Sequence, residues 1–148
     1  MKTPVLDPEV LGIDGVLVTI PHSALAELDR RESGYDRVQI EPEQIAFAFD
    51  SHALSVERLF MYVSKTEFNA PADEDHPILQ SYIDCVMAGY EAQFGADGLS
   101  RFLQTTHGWR GPIENDRSSP RYPRAVQLSV DQQARYDALL KETRSELR

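Results

Sequence analysis

Cys85 is the only cysteine among 148 residues, so an internal disulfide is excluded and nothing points to an oxidising compartment. Long apolar runs are missing too. A bilayer-spanning helix needs about 20 consecutive apolar residues, no stretch approaches that, and the opening MKTPVLDPEV lacks the apolar centre of a signal peptide. The expectation is a cytoplasmic protein with no membrane partner. Positive charge is scarce: 15 Lys and Arg stand against 24 Asp and Glu, a formal net charge of −9. Such a surface repels nucleic acid and anionic membranes unless a local basic patch prevails. The one candidate patch, Arg110 to Arg124, is interleaved with Pro, Asp and Glu. There is no phosphate-cradling Gly-rich loop and no nucleophile elbow. His22, His52, His76 and His107 are scattered without partners at metal-ligand spacing, so no metal site is expected.

What is present has the size and composition of one ordinary core, and residues 1–148 are read as a single domain. GVLVTI (Gly15 to Ile20), YDRVQI (Tyr35 to Ile40), QIAFAFD (Gln44 to Asp50) and RLFMYVS (Arg58 to Ser64) are rich in β-branched and aromatic residues and read as strands. After the Pro- and Asp-rich NAPADEDHP, Ile78, Leu79, Tyr82, Ile83, Val86, Met87, Tyr90 and Phe94 recur every three or four residues. That spacing predicts a long amphipathic helix ended by Gly95, with a shorter helix carrying Leu99, Phe102 and Leu103. A last helix opens on the box Ser129-Val-Asp-Gln132. Strands first and helices later give an α+β fold. Cys85 lies on the flank of the apolar stripe and reads as a small packed side chain.

One short helix is unusual. Ala24 to Glu32 are mostly good helix formers, with Ser23 as a candidate cap and Gly34 as the candidate left-handed residue that ends the helix. At about 100° per residue, Glu32 falls midway between Leu25 and Leu28, the inward-facing residues. A carboxylate there would meet the negative end of the helix dipole and burial, both of which would raise its pKa toward the range useful for proton transfer. The alternative is a Glu32 that swings to solvent or pairs with Arg37.

The stretch LDRRESGYDRVQI, with its Leu28-Asp29-x-x-Glu32 pattern followed by Gly34-Tyr35 and a strand, resembles the corresponding segment of the γ-glutamylcyclotransferase superfamily. The flanking order is similar as well: DGVLVTI before the helix, LFMYVS after it, then a Pro-started helix with a Tyr in its first turns. The tail GWRGPIENDRSSPRYPRA resembles a bacterial branch of the superfamily, so the likeness covers about Ile13 to Ala125. The resemblance implies a small mixed β-barrel with helices packed around it. It also implies an enzyme in which the α-amine of a γ-glutamyl amide attacks its own γ-carbonyl and releases 5-oxoproline, with no metal or organic cofactor. Glu32 would take the proton from the amine and return it to the leaving nitrogen. Tyr35 and Tyr82 would lie near the substrate, although the helical stripe favours Tyr82 as a core residue. Residues 109–124 read either as a surface loop or as a lid in which Arg117, Arg121 or Arg124 holds a substrate carboxylate.

The pattern is broken at one place. The superfamily carries a Tyr-Gly-Ser loop after its first strand, and this sequence has no such tripeptide. The expected barrel therefore lacks its opening strands, and three accounts compete: a start upstream of Met1, a partner chain that completes the sheet, or a binding or assembly module without turnover. Unpaired strand edges also predict a homodimer through the open sheet.

Overall fold

Tyr35, Arg37 and Gln39 alternate with Asp36, Val38 and Ile40, a period of two that suits a pleated strand. They form β1 (Tyr35–Ile40), which pairs antiparallel with β2 (Leu59–Ser64) in the register Tyr35 to Ser64 and Ile40 to Leu59. In the computed structural model of the protein, residues 12–41, 44–46 and 58–146 are described. The remaining elements are α1 (Leu25–Arg31), β3 (Ile78–Leu79), α2 (Gln80–Thr105), β4 (Ile113–Glu114) and α3 (Val130–Glu146). The architecture is α+β. Among the described residues the strands form two separate two-stranded sheets, β1 with β2 and β3 with β4, and neither closes into a barrel.

Chain contacts divide the described residues into two compact units, 16–70 in the first and 12–15 with 71–146 in the second. In the first unit, a 3₁₀ turn (His22–Ala24) runs directly into α1. Ser23 lies inside that turn, so the expected Ser cap is not made; Ala24 is the N-cap and has no side-chain cap bond. Gly34 does not end α1 through a positive φ, a conformation confined among the described residues to Gly95 and Gly108. Instead the Glu32 amide closes on the Leu28 carbonyl at 2.8 Å, and the Tyr35 amide donates to the Glu32 carbonyl at 2.9 Å. A β-turn therefore leads straight into β1. Gly15 to Ile20, expected as a strand, joins no ladder, and Val16, Leu17, Val18 and Ile20 are exposed. β-propensity measures fit to a half-buried pleated surface, and without a neighbouring edge to pair with it makes no strand. Of the expected strand from Gln44 to Asp50, residues 44–46 are described and are not extended into a ladder; the rest lies outside the described residues.

One face of the β1–β2 ribbon carries Val38, Ile40, Leu59, Met61 and Val63, with Asp36 at its corner. Val38, Met61 and Val63 remain exposed. The opposite face is polar and aromatic: Arg37 lies over the Phe60 ring at 4.7 Å and ion-pairs with Asp29 at 3.0 Å, and the Tyr62 hydroxyl donates to Asp29 at 2.6 Å.

The second unit holds the core. β3 and β4 are parallel, pairing Ile78 with Ile113 and Leu79 with Glu114, and α2 starts as soon as β3 ends. α2 is two helices in one: Gly95 at φ 69° and ψ −169° breaks it, a backbone region essentially reserved for glycine. This bend returns Leu99 and Leu103 to the side of Ile83 and Met87, and these four join Trp109, Tyr136 and Leu140 in the buried cluster. Tyr90 and Phe102 stack across the bend at 4.4 Å, and Phe102 meets Trp109 edge-on at 5.7 Å. α3 begins with the expected capping box: the Gln132 amide donates to Ser129 Oγ at 3.2 Å and the Ser129 amide to Gln132 Oε1 at 3.0 Å. Among the described residues no helix is long and apolar enough to cross a membrane.

Candidate functional site

Leu25, Leu28 and Glu32 are all half-buried, while Glu27, Arg30 and Arg31 are exposed. The Glu32 side chain is 28% exposed and its Oε1 accepts a charged hydrogen bond from Arg31 Nε at 2.9 Å. Arg37, the alternative partner, is taken by Asp29. Glu32 is the C-cap of α1 rather than part of its last turn, at φ −94° and ψ 35°. Its backbone is held from both sides, by Leu28 and by Tyr35. The loop that follows is tied down by Lys65, whose Nζ donates to the Ser33 carbonyl at 2.8 Å and whose amide donates to the Gly34 carbonyl at 3.1 Å. The carboxylate thus sits on a fixed backbone and remains open to solvent on part of its surface. Tyr35, at the start of β1, is 46% exposed. Partial burial, followed by the Asp29 carboxylate that its hydroxyl faces, pushes the Tyr62 phenol up.

The other expected site residues belong to the second unit. Tyr82 is not a core aromatic: it is 46% exposed and meets Tyr122 edge-on at 5.0 Å. Its phase on α2 places it beside the buried Ser81 and Ile83 but on the outer face, and the stripe is narrower than its aromatic character suggested. Residues 109–124 are neither a plain surface loop nor free to act as a hinged cover over this unit, because several of their side chains are built into its interior. Trp109 is buried and its Nε1 donates to the Leu103 carbonyl at 3.0 Å. Asp116, also buried, accepts from the Ser81 amide (2.8 Å), the Ser81 hydroxyl (2.6 Å) and the Arg121 amide (2.9 Å). Burial alone would raise its pKa; these hydrogen bonds outweigh burial and hold it at about 2. Asp116 is the acid that caps the start of α2, where the helix's own polar side chains leave the N-cap unsatisfied.

Arg117 spans two carboxylates. Its Nε and Nη2 grip Asp84 at 2.6 and 2.8 Å, and its Nη1 and Nη2 reach Asp137 at 3.0 and 2.8 Å. The hydrogen bonds to Asp84 come first among the causes that raise the guanidinium's pKa, with Asp137 adding to them and burial opposing. Asp84, with its side chain 4% exposed, also accepts from Gln80 Nε2 at 2.8 Å. This guanidinium is engaged from both sides by the protein itself. Arg121 ion-pairs with Glu114, and Arg124 is exposed. Glu32 and Tyr35 therefore belong to the first unit, and Tyr82, Arg117, Arg121 and Arg124 to the second.

Comparison of the chain with family models, curated proteins and solved structures finds no match. Among the described residues no three His, Cys, Asp or Glu side chains gather in a metal-ligating group. Sequence reasoning passed over Asp84, Asp116 and Asp137. The signal for Asp84 was available: Gln80 and Asp84 stand four residues apart on the face that also carries Ile83 and Met87, and two polar groups on an inward face call for a partner. The partner could not be read from spacing. Also in the second unit, a cavity of about 510 Å³ opens between the first residue of α2, the β4 segment and one face of α3.

Proposed function

We propose that the chain is a γ-glutamylcyclotransferase-type domain that releases 5-oxoproline from a γ-glutamyl amide, with Glu32 as the acid/base. One observation carries this reading: a glutamate fixed at the junction of α1 and β1, held by backbone bonds on both sides, with a carboxylate that is only partly covered. The reaction asks little else of a side chain. Amine and carbonyl belong to one substrate, so the site has to fold that substrate into the attacking geometry and pass a proton from one nitrogen to the other. Tyr35, on the strand that leaves Glu32, is the adjacent substrate-facing candidate in the first unit; Tyr82, Arg121 and Arg124 are the candidates in the second. The proposed setting is cytoplasmic, without a metal or organic cofactor, with a small γ-glutamyl compound as the partner.

The same reading treats the β1–β2 ribbon as part of a small barrel. The exposed Val38, Met61 and Val63 and the unladdered Val16 to Ile20 support it, because apolar pleated surface of this kind is normally covered by further strands. That feature also favours the second reading, a non-catalytic binding or assembly module, with a second copy pairing at the open edge. A 5-oxoproline release assay over glutathione, γ-glutamyl amino acids and γ-glutamyl amines separates the two. Turnover that falls at least a hundredfold in Glu32→Gln, with folding unchanged, supports the enzyme. Turnover retained in that variant removes Glu32 from the mechanism. No turnover with any substrate, together with dimers in sedimentation, favours the module.

A further inference from the structure

The cavity in the second unit has a chemical bias that the cyclotransferase reading does not use. Four residues of α3 line it, Asp137, Leu140, Lys141 and Arg144, at the spacing of three and four that puts them on one helix face. Asp137 is ion-paired with Arg117 at 2.8 Å, a guanidinium that it shares with Asp84. Among the described residues neither Lys141 nor Arg144 has an ion-pair partner. Across from them stands Asn115, whose Oδ1 accepts the Arg117 amide at 3.3 Å and whose NH₂ group is left as a donor. The polar side chains of the wall offer an ammonium, a guanidinium and an amide NH₂ as donors, against the Gln80 amide, whose Nε2 is spent on Asp84, and one carboxylate that is ion-paired. Ile113 and Leu140 add an apolar patch. The volume, about 510 Å³, is that of a small-molecule site.

The geometry points to this cavity as a binding site for a small amphiphilic anion, with a carboxylate or phosphate-monoester head on Lys141 and Arg144 and an apolar body against Ile113 and Leu140. The chain's net charge of −9 selects for a small ligand over a polyanion: at physiological salt a local pair of cations is felt within about 8 Å, whereas a long anionic polymer would also meet the acidic remainder of the surface. The alternative roles involve no ligand: Arg144, in the last turn of α3, offsets the C-terminal end of the helix dipole, and Lys141 is a solvated surface charge.

The two are separated by titrating the isotopically labelled full chain with hexanoate and with hexyl phosphate, followed through backbone amide resonances, alongside hexanol and inorganic phosphate. At least one hexyl anion is expected to shift the amides of Gln80, Ile113, Asn115 and Leu140 saturably, at least tenfold more tightly than hexanol or inorganic phosphate. The tighter of the two anions assigns the head group. Lys141→Gln combined with Arg144→Gln changes an exposed and a half-buried side chain that make no ion pair among the described residues, is expected to keep the thermal midpoint, and is expected to weaken binding at least tenfold. Three results overturn the proposal: no saturable shift with either anion, hexanol binding as tightly as the anions, or unchanged affinity in the double variant. None of these bears on 5-oxoproline release, so this site stands or falls apart from the Glu32 reading.

Discussion

Removing Arg117 should unfold the second unit more than any surface change can. Arg117→Met keeps much of the side-chain length and takes away the charge that compensates Asp84, whose side chain is 4% exposed. Breaking a buried ion pair from one side typically costs about 3–5 kcal/mol, because the remaining charge has lost its partner in a poorly solvated place. Asp84 retains one donor, Gln80 Nε2 at 2.8 Å, so the lower end, about 3 kcal/mol, is expected. The second carboxylate matters less: Asp137 is 54% exposed, and Asp137→Ala should cost under about 1 kcal/mol. Trp109 is the single tryptophan and is buried in this unit, so its fluorescence reports urea unfolding directly. With a slope of about 1.5 kcal/mol per molar urea, the midpoint of Arg117→Met should fall by about 2 M. Arg117→Lys should recover little, since a point charge cannot reproduce the fork on Asp84. Asp84→Leu with Arg117→Met removes both charges and should be more stable than Arg117→Met alone. A single variant within about 1 kcal/mol of the wild type, or a double variant less stable than the single one, would refute the reasoning and return Arg117 to the list of residues available for a substrate.

Two further outcomes are expected. Asp116 is held at about 2 in the folded chain against an ordinary 3.8, so its contribution is fully present above about pH 4 and is lost as pH falls toward 2. That displacement corresponds to roughly 2 kcal/mol, and Asp116→Asn should flatten the acid limb of a urea-midpoint profile while lowering stability at pH 7; an unchanged limb would mean that other carboxylates govern it. Gly95→Ala places a side chain at φ 69° and ψ −169° with no steric neighbour within 4 Å, so its cost is backbone strain alone, about 1–3 kcal/mol by thermal unfolding, and a neutral result would mean that the bend relaxes.

Where neighbours along the chain decide the conformation, the sequence was sufficient. Alternation in Tyr35 to Ile40 specifies β1 to the residue, the run Arg58 to Ser64 specifies β2 to within one residue, Gly95 divides the long helix, and Ser129 with Gln132 opens the last one. Each rests on a period, a cap or a φ value, and these act over four residues or fewer. Phase along α1 likewise put Glu32 with Leu25 and Leu28 on the half-buried side. What tertiary structure decided is pairing between distant segments. Gly15 to Ile20 has the composition of a strand and joins no ladder, because a strand is a relation to a neighbouring edge. Gly34 follows α1 as a left-handed cap residue would, yet a β-turn closed by Glu32 and Tyr35 serves instead. Arg117 looked free in a loop of turn-forming residues. It is claimed by Asp84, 33 positions earlier, and Asp137, 20 positions later, because a guanidinium brought into the interior has to find carboxylates, and only the folded chain determines which ones are within reach.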